Sequence, residues 1–184
     1  MSVRRVLRKK IACEEAILDD SSVISRQWII LPHKYSAPLT PALLVERYLA
    51  FVRQCTLSVV QPVISGKTTA FSLFGSSFVL LAFAGPEFTG DSHVQTASLR
   101  IDGGLLLQRN ECGKGMLSFT LEIMEEGVRV IVQVSDYCPL LLGSRKPSKI
   151  RKWFYRCTQA AVHKIITVRF LAYLYRELDI MVAS

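Results

Sequence analysis

The sequence holds only three histidines, His33, His93 and His163. None stands in a spacing that metals use, such as H-E-x-x-H, so no metal is expected. Its five cysteines, Cys13, Cys55, Cys112, Cys138 and Cys157, are odd in number, and no two are placed as C-x-x-C. That pattern suits neither a zinc site nor a disulfide framework. All five thiols are therefore expected free, in a reducing, cytoplasmic compartment. No G-x-S-x-G, phosphate-binding loop or dinucleotide fingerprint is present, so the chain carries no signature of a reaction and no cofactor is expected. A secretory signal is not expected either: Arg4 to Lys10 is basic, but no apolar stretch follows. There is no internal repeat and no low-complexity segment.

What the chain does have is apolar residues. Half of its 184 residues are hydrophobic and 21% are charged, which excludes disorder and allows a core with apolar surface or a cavity to spare. The formal charge is +8, from 23 Lys+Arg against 15 Asp+Glu. A basic balance suits acidic partners such as nucleic acid, anionic lipid or an acidic protein. The plainer alternative is a soluble protein that happens to be basic. The stretch from Thr68 to Pro86 is uncharged and long enough to test as a membrane span. Gly75, Ser76 and Ser77 break it in the middle, and it reads as two strands.

Residues 1–20 begin basic and end acidic, as a short amphipathic helix or a solvated N-terminal arm, and residues 21–184 read as a single domain. Ile24 to Leu31 is a strand centred on Trp28, Ile29 and Ile30. Thr40 is a good N-cap with Pro41 at the first helical position, and the helix after it should run to about Val60, stopped by Pro62 and Gly66, or break near Thr56, where β-branched residues begin. Six short strands are then expected: 68–74, 78–84, 94–101, 105–109, 116–124 and 128–135. Asp102-Gly103-Gly104 reads as a hairpin turn between the third and the fourth. In the fifth, Leu117, Phe119, Leu121 and Ile123 alternate with Ser118, Thr120 and Glu122. Val128, Val130, Val132 and Val134 alternate in the sixth, as in an antiparallel sheet covered on one side. Ser148 should cap a final helix of about 30 residues, about 45 Å long. Its apolar stripe reads Ile150, Phe154, Cys157, Ala161, Ile165, Val168 and Leu171.

Strand, helix, six strands and a long helix together resemble the START/Bet v 1-like (SRPBCC) superfamily, whose helix-grip fold wraps an antiparallel sheet on a C-terminal helix. The resemblance covers about residues 24–178 and rests on element order, without a sequence motif, so no catalytic residue is carried over. It implies an α+β, helix-grip architecture: a curved antiparallel sheet of about seven strands on the long C-terminal helix. It also implies an apolar cavity between sheet and helix for a hydrophobic small molecule or lipid. The implied lining is Phe119, Leu121, Val130, Val132, Phe154, Cys157 and Ala161. The alternative is that these side chains fill the core and leave no void.

Residues suited to chemistry are sparse. His163, with basic neighbours on a helix, reads as a solvated surface residue. His93 beside Asp91, and Asp136-Tyr137 at a strand end, are the first acid–base candidates if the cavity hosts a reaction. Glu122 reads as solvated. Arg145, Lys146, Lys149, Arg151 and Lys152, interleaved with Trp153, Phe154 and Tyr155, form a basic patch suited to an anionic membrane surface or nucleic acid. Alternate faces of one helix would give the same pattern. The leading expectation is a binding protein for an apolar ligand. A cyclase- or hydrolase-type enzyme using the same cavity and a basic interaction module are the alternatives.

Overall fold

A computed structural model describes residues 10–18, 22–66, 68–107, 115–140 and 161–183. The chain forms strands β1 (Ala12–Ile17) and β2 (Val23–Leu31), a 3₁₀ turn at His33–Tyr35, and helix α1 (Pro41–Cys55). Strands β3 (Val60–Ser65), β4 (Thr68–Leu73), β5 (Val79–Gly90), β6 (Val94–Gly103), β7 (Met116–Met124) and β8 (Gly127–Tyr137) follow, then helix α2 (Ala161–Ala183). The fold is α+β. All eight strands make one sheet in the order β1-β2-β8-β7-β6-β5-β4-β3, and every neighbouring pair is antiparallel. Apart from β1, the order is one strand, a helix, six strands and a long helix. That order is compatible with a helix grip.

The β7–β8 hairpin follows its alternation. Leu117, Phe119 and Leu121 are buried on one face, opposite Val134, Val132 and Val130 of β8. Gly127 makes the turn at a φ of 147°. A Cβ there would lie 2.1 Å from the Leu31 carbonyl oxygen, so no other residue fits. The other face of the hairpin is more polar, with Ile131 buried in it opposite Trp28 of β2. Glu122 accepts a hydrogen bond from Arg129 Nη1 at 2.9 Å and lies 3.9 Å from Arg26 Nη2, so it is part-buried in an ion-pair group instead of solvated.

Helix α1 begins as expected: Thr40 Oγ1 accepts the Leu43 N–H at 3.1 Å, and Pro41 occupies the first turn. It buries Leu44, Val45, Tyr48, Leu49, Phe51 and Val52. The helix stops five residues short of Val60. Thr56 turns its hydroxyl back onto the Val52 carbonyl at 2.8 Å, and Leu57 and Ser58 adopt left-handed φ values of 52° and 62°. The stop falls at the break expected near Thr56 as the alternative, and the strand β3 that follows it is the unexpected element.

Three more expectations are corrected. Residues 12–17, read as part of an arm or helix, form strand β1 on β2, Ala12 opposite Trp28 and Ile17 opposite Val23. Leu105–Arg109 is not a strand over its described part. Gly104, at a φ of 118°, lies so close to β5 that a Cβ would stand 2.3 Å from the Leu80 oxygen. The chain then turns beside β5 instead of folding back on β6, with Leu105 and Leu106 N–H bonded to Val79 and Leu80 carbonyls. Strand β5 runs on through Gly85-Pro86 to Gly90, because those two residues bulge opposite Leu99 and pairing resumes at Glu87.

Helix α2 spans 23 residues, about 35 Å. It buries Thr167, Phe170, Leu171, Leu174 and Leu178, while Ile165 of the expected stripe is 50% exposed. Of that stripe Leu171 is buried and Val168 packs against the core, but apolar residues lie on several sides of this helix, and periodicity alone does not separate Ile165 from the buried face. Residues 141–160 lie outside the described residues. That takes in Ser148, Phe154, Cys157 and the whole basic patch of Arg145, Lys146, Lys149, Arg151 and Lys152.

The thiol expectation also fails in one place. Cys13 and Cys55 are free, but Cys138 is disulfide-bonded. Spacing along the chain does not report distance in space, and an odd cysteine count leaves room for a bridge. The inference to a reducing compartment loses its ground. Among the described residues, no helix is long and apolar enough to cross a membrane.

Candidate functional site

The inward faces of β7 and β8 meet the helices differently along their length. At one end the pairs Leu121–Val130 and Phe119–Val132 are covered by aromatic rings. Tyr48 of α1 stands edge-on to Phe119 at 5.1 Å and to Phe170 of α2 at 5.2 Å. Phe51 meets Phe170 at 5.8 Å and Tyr173 at 5.2 Å. Polar latches hold the helices over this packing: Arg47 Nη1 donates to Glu177 Oε1 at 2.6 Å, and the Tyr35 hydroxyl to Asp179 Oδ1 at 2.6 Å.

At the other end, beyond the pair Leu117–Val134, a cavity of about 400 Å³ opens, with Tyr48 at its border. Strands supply most of its wall: Val23 and Ser25 of β2, Val60 of β3, Phe71 of β4, Leu80, Leu81 and Phe83 of β5, and Ile101 of β6. Tyr48 and Val52 close it from α1, and Val162, His163 and Ile166 from α2. Leu106, Tyr137 and Leu140 make the end wall. That wall is tied together: the Leu106 carbonyl accepts the Tyr137 hydroxyl at 2.6 Å and the Leu140 N–H at 2.9 Å.

No lysine, arginine, aspartate or glutamate stands among the described lining residues. The polar ones are Ser25, Tyr48, Tyr137 and His163. Ser25 Oγ accepts from Gln27 Nε2 at 2.8 Å, and Gln27 is wholly buried with its Oε1 unpartnered. Burial pushes the Tyr48 hydroxyl up to about 12, against a smaller opposite effect of the Thr167 hydroxyl, so it stays protonated. Burial also pushes His163 down to about 4, leaving a neutral imidazole. His163 as a residue is partly exposed, but its Nε2 is shut off from solvent and has no hydrogen-bond partner among the described residues. The favoured reading of His163 as a solvated surface residue is therefore overturned. It stands seven residues before Phe170, on the helix face that buries Thr167 and Phe170, and that spacing was the signal for it.

The structure gathers Phe119, Leu121, Val130 and Val132 on the expected face, but in the solid core. The cavity wall takes their neighbours Leu117 and Val134 instead. Ala161 opens α2 immediately before the lining residues Val162 and His163. Of the acid–base candidates only Tyr137 lines the cavity. His93 and Asp136 are exposed, and Asp91 is occupied accepting the His93 and Val94 N–H groups at 2.7 and 2.9 Å, which holds its carboxyl below the usual range. No cluster of His, Cys, Asp or Glu that could hold a metal occurs among the described residues.

No known protein family matches the chain, and no curated protein does. Among solved structures the chain is similar to CalU16 from Micromonospora echinospora, with 13% identity, 68% of this chain covered and a TM-score of 0.27. It spans 66% of the length of that structure, just under two thirds. So low a TM-score carries no argument about function. The architecture itself stands on the chain's own geometry: an α+β fold in which an antiparallel sheet carries a long C-terminal helix over an apolar hollow.

Proposed function

We propose that this protein binds an apolar small molecule in the hollow between the sheet and α2. The observation that carries the reading is the cavity of about 400 Å³ with an almost wholly hydrocarbon wall. It falls in the size range of about 300–1,000 Å³ of small-molecule sites, which are mostly apolar with a few placed polar groups. Binding would draw on burial of the ligand's own surface, about 25 cal/mol per Å² of apolar area removed from water. An enzymatic reading has less support, because His93 and Asp136 face solvent and of that trio Tyr137 alone lines the cavity. The proposed superfamily is the START/Bet v 1-like group, on element order and the position of the hollow. Native mass spectrometry of protein purified from cells, together with titration by apolar probes, tests the binding. A copurified mass or saturable uptake at one site supports it. Repeated absence of both overturns it.

A further inference from the structure

The end of the molecule that carries the hollow also carries an arc of exposed apolar side chains, joined one to the next by backbone hydrogen bonds. The Phe74 N–H donates to the Val59 carbonyl at 2.8 Å, and the Leu73 N–H to the Phe78 carbonyl at 3.0 Å. Beside Phe78, the Val79 carbonyl accepts the Leu105 N–H at 3.0 Å, and the Leu106 carbonyl accepts the Leu140 N–H at 2.9 Å. Leu57 and Phe74 are 88% and 72% exposed, Phe78 is largely exposed, and Leu105 and Leu140 are half exposed. Leu140 and the half-exposed Val162 also line the hollow, so its wall there is molecular surface as well. The stretches that supply the arc, 54–66, 68–86, 103–107 and 137–140, hold no charged residue.

Two members of the arc sit on a backbone that their side chains disfavour. Leu57 and Phe74 take φ values of 52° and 51°, a left-handed conformation that glycine and asparagine adopt at less cost. A bulky apolar side chain on such a backbone, turned to water, adds little to the fold, and the combination points to contact with something outside it. We propose that this arc docks on an anionic lipid bilayer, with Leu57, Phe74 and Phe78 entering the interface. The side chains stand on turns of separate segments with no charge among them, which suits insertion between acyl chains. The charge of the chain, +8, selects anionic headgroups. The sequence that leaves the arc after Leu140 and returns at Ala161 contributes Arg145, Lys146, Lys149, Arg151, Lys152 and Arg156 and no acidic residue. A bilayer is also where an apolar ligand for the hollow would be held, but docking does not require the hollow to be occupied.

Flotation at low ionic strength with two kinds of vesicle tests the docking: phosphatidylcholine alone, and phosphatidylcholine mixed with phosphatidylserine. The wild type is expected to float with the mixed vesicles, less with phosphatidylcholine alone, and less as salt is added. The double variant Leu57→Asn, Phe74→Asn should lose about ten-fold or more in affinity for the mixed vesicles, because two large apolar side chains no longer enter the acyl layer. It should melt at the wild-type temperature or above, since asparagine tolerates the left-handed backbone. Ile180→Asn, at the other end of α2 and 71% exposed, should float as the wild type does. Should the double variant not fold, hydrogen exchange of the wild type decides: residues 57–59 and 74–78 should exchange more slowly on mixed vesicles, and residues 180–183 should not. No flotation of the wild type with mixed vesicles, equal flotation of the wild type and the double variant, or an equal loss in Ile180→Asn overturns the docking. So does self-association of the wild type that the double variant abolishes, without flotation, which would make the arc a contact between copies of this chain. The cavity reading is decided separately, by uptake of apolar probes.

Discussion

On β8, Val130 and Val134 lie four residues apart on the same face, yet one is wholly buried in solid core and the other faces a cavity of about 400 Å³. The strand is the same, and so is the residue type. What differs is the layer above. Next to Val130 and Val132, Phe119 of β7 meets Tyr48, and the two helices bring Tyr48, Phe51, Phe170 and Tyr173 into edge-on and tilted contact with one another. Over Val134 the opening turns of α2 bring Val162, His163 and Ile166. A hollow forms where the side chains that the described helices present do not fill the space above the sheet face. Alternation along a strand thus reports which face is inward, while the volume left over that face depends on elements far away in the chain.

Truncation at the filled end should have the largest effect. Phe119→Ala removes the ring against which Tyr48 stacks, and should cost about 3–5 kcal/mol in denaturant unfolding. A loss under 1 kcal/mol would mean that the filled end is loosely packed after all.

The hollow end should reveal itself through pH. His163 is held near 4 in the fold, against an ordinary value of 6.5. Between those values the unfolded chain takes up a proton that the folded chain refuses. Stability should therefore be unaffected by this group above pH 6.5 and fall as pH drops toward 4, by about 3 kcal/mol in all. His163→Leu should remove that part of the pH dependence. An unchanged slope between pH 6.5 and 4 would place the imidazole in water.

Overpacking sharpens the contrast. Val130→Phe forces a ring into filled core and should cost about 1–3 kcal/mol or more. Val134→Phe puts the same ring into the hollow and should leave thermal unfolding within about 0.5 kcal/mol of wild type. Equal losses at both positions would erase the distinction. Away from both ends, Thr40→Ala removes the cap of α1 and should cost about 1 kcal/mol, without altering probe binding.

Element order was legible because each cue was local. Thr40-Pro41 opened α1, and the valine alternation of β8 ran with that of β7. The end of α1 was half legible: the β-branched residues from Thr56 on offered a break where the helix does stop, but Leu57 and Ser58 take left-handed φ without being glycine or asparagine. Leu105–Arg109 resembled a strand because its apolar run exists to wall a cavity: Leu106 is in the lining. The site was half legible. Leu121, Phe119 and Leu117 follow one another on the chosen face, but only the helix above decides which of them meets empty space. His163 was missed because its basic neighbours suggested surface, whereas its spacing from Phe170 put it inward.

Calorimetric titration of 2-naphthol into wild type and Val134→Phe tests the central claim most directly. The account predicts saturable one-to-one binding by the wild type and none by the variant, with the two proteins melting at the same temperature. Equal binding by both, or no binding by the wild type, would contradict a ligand site at this end of the interface.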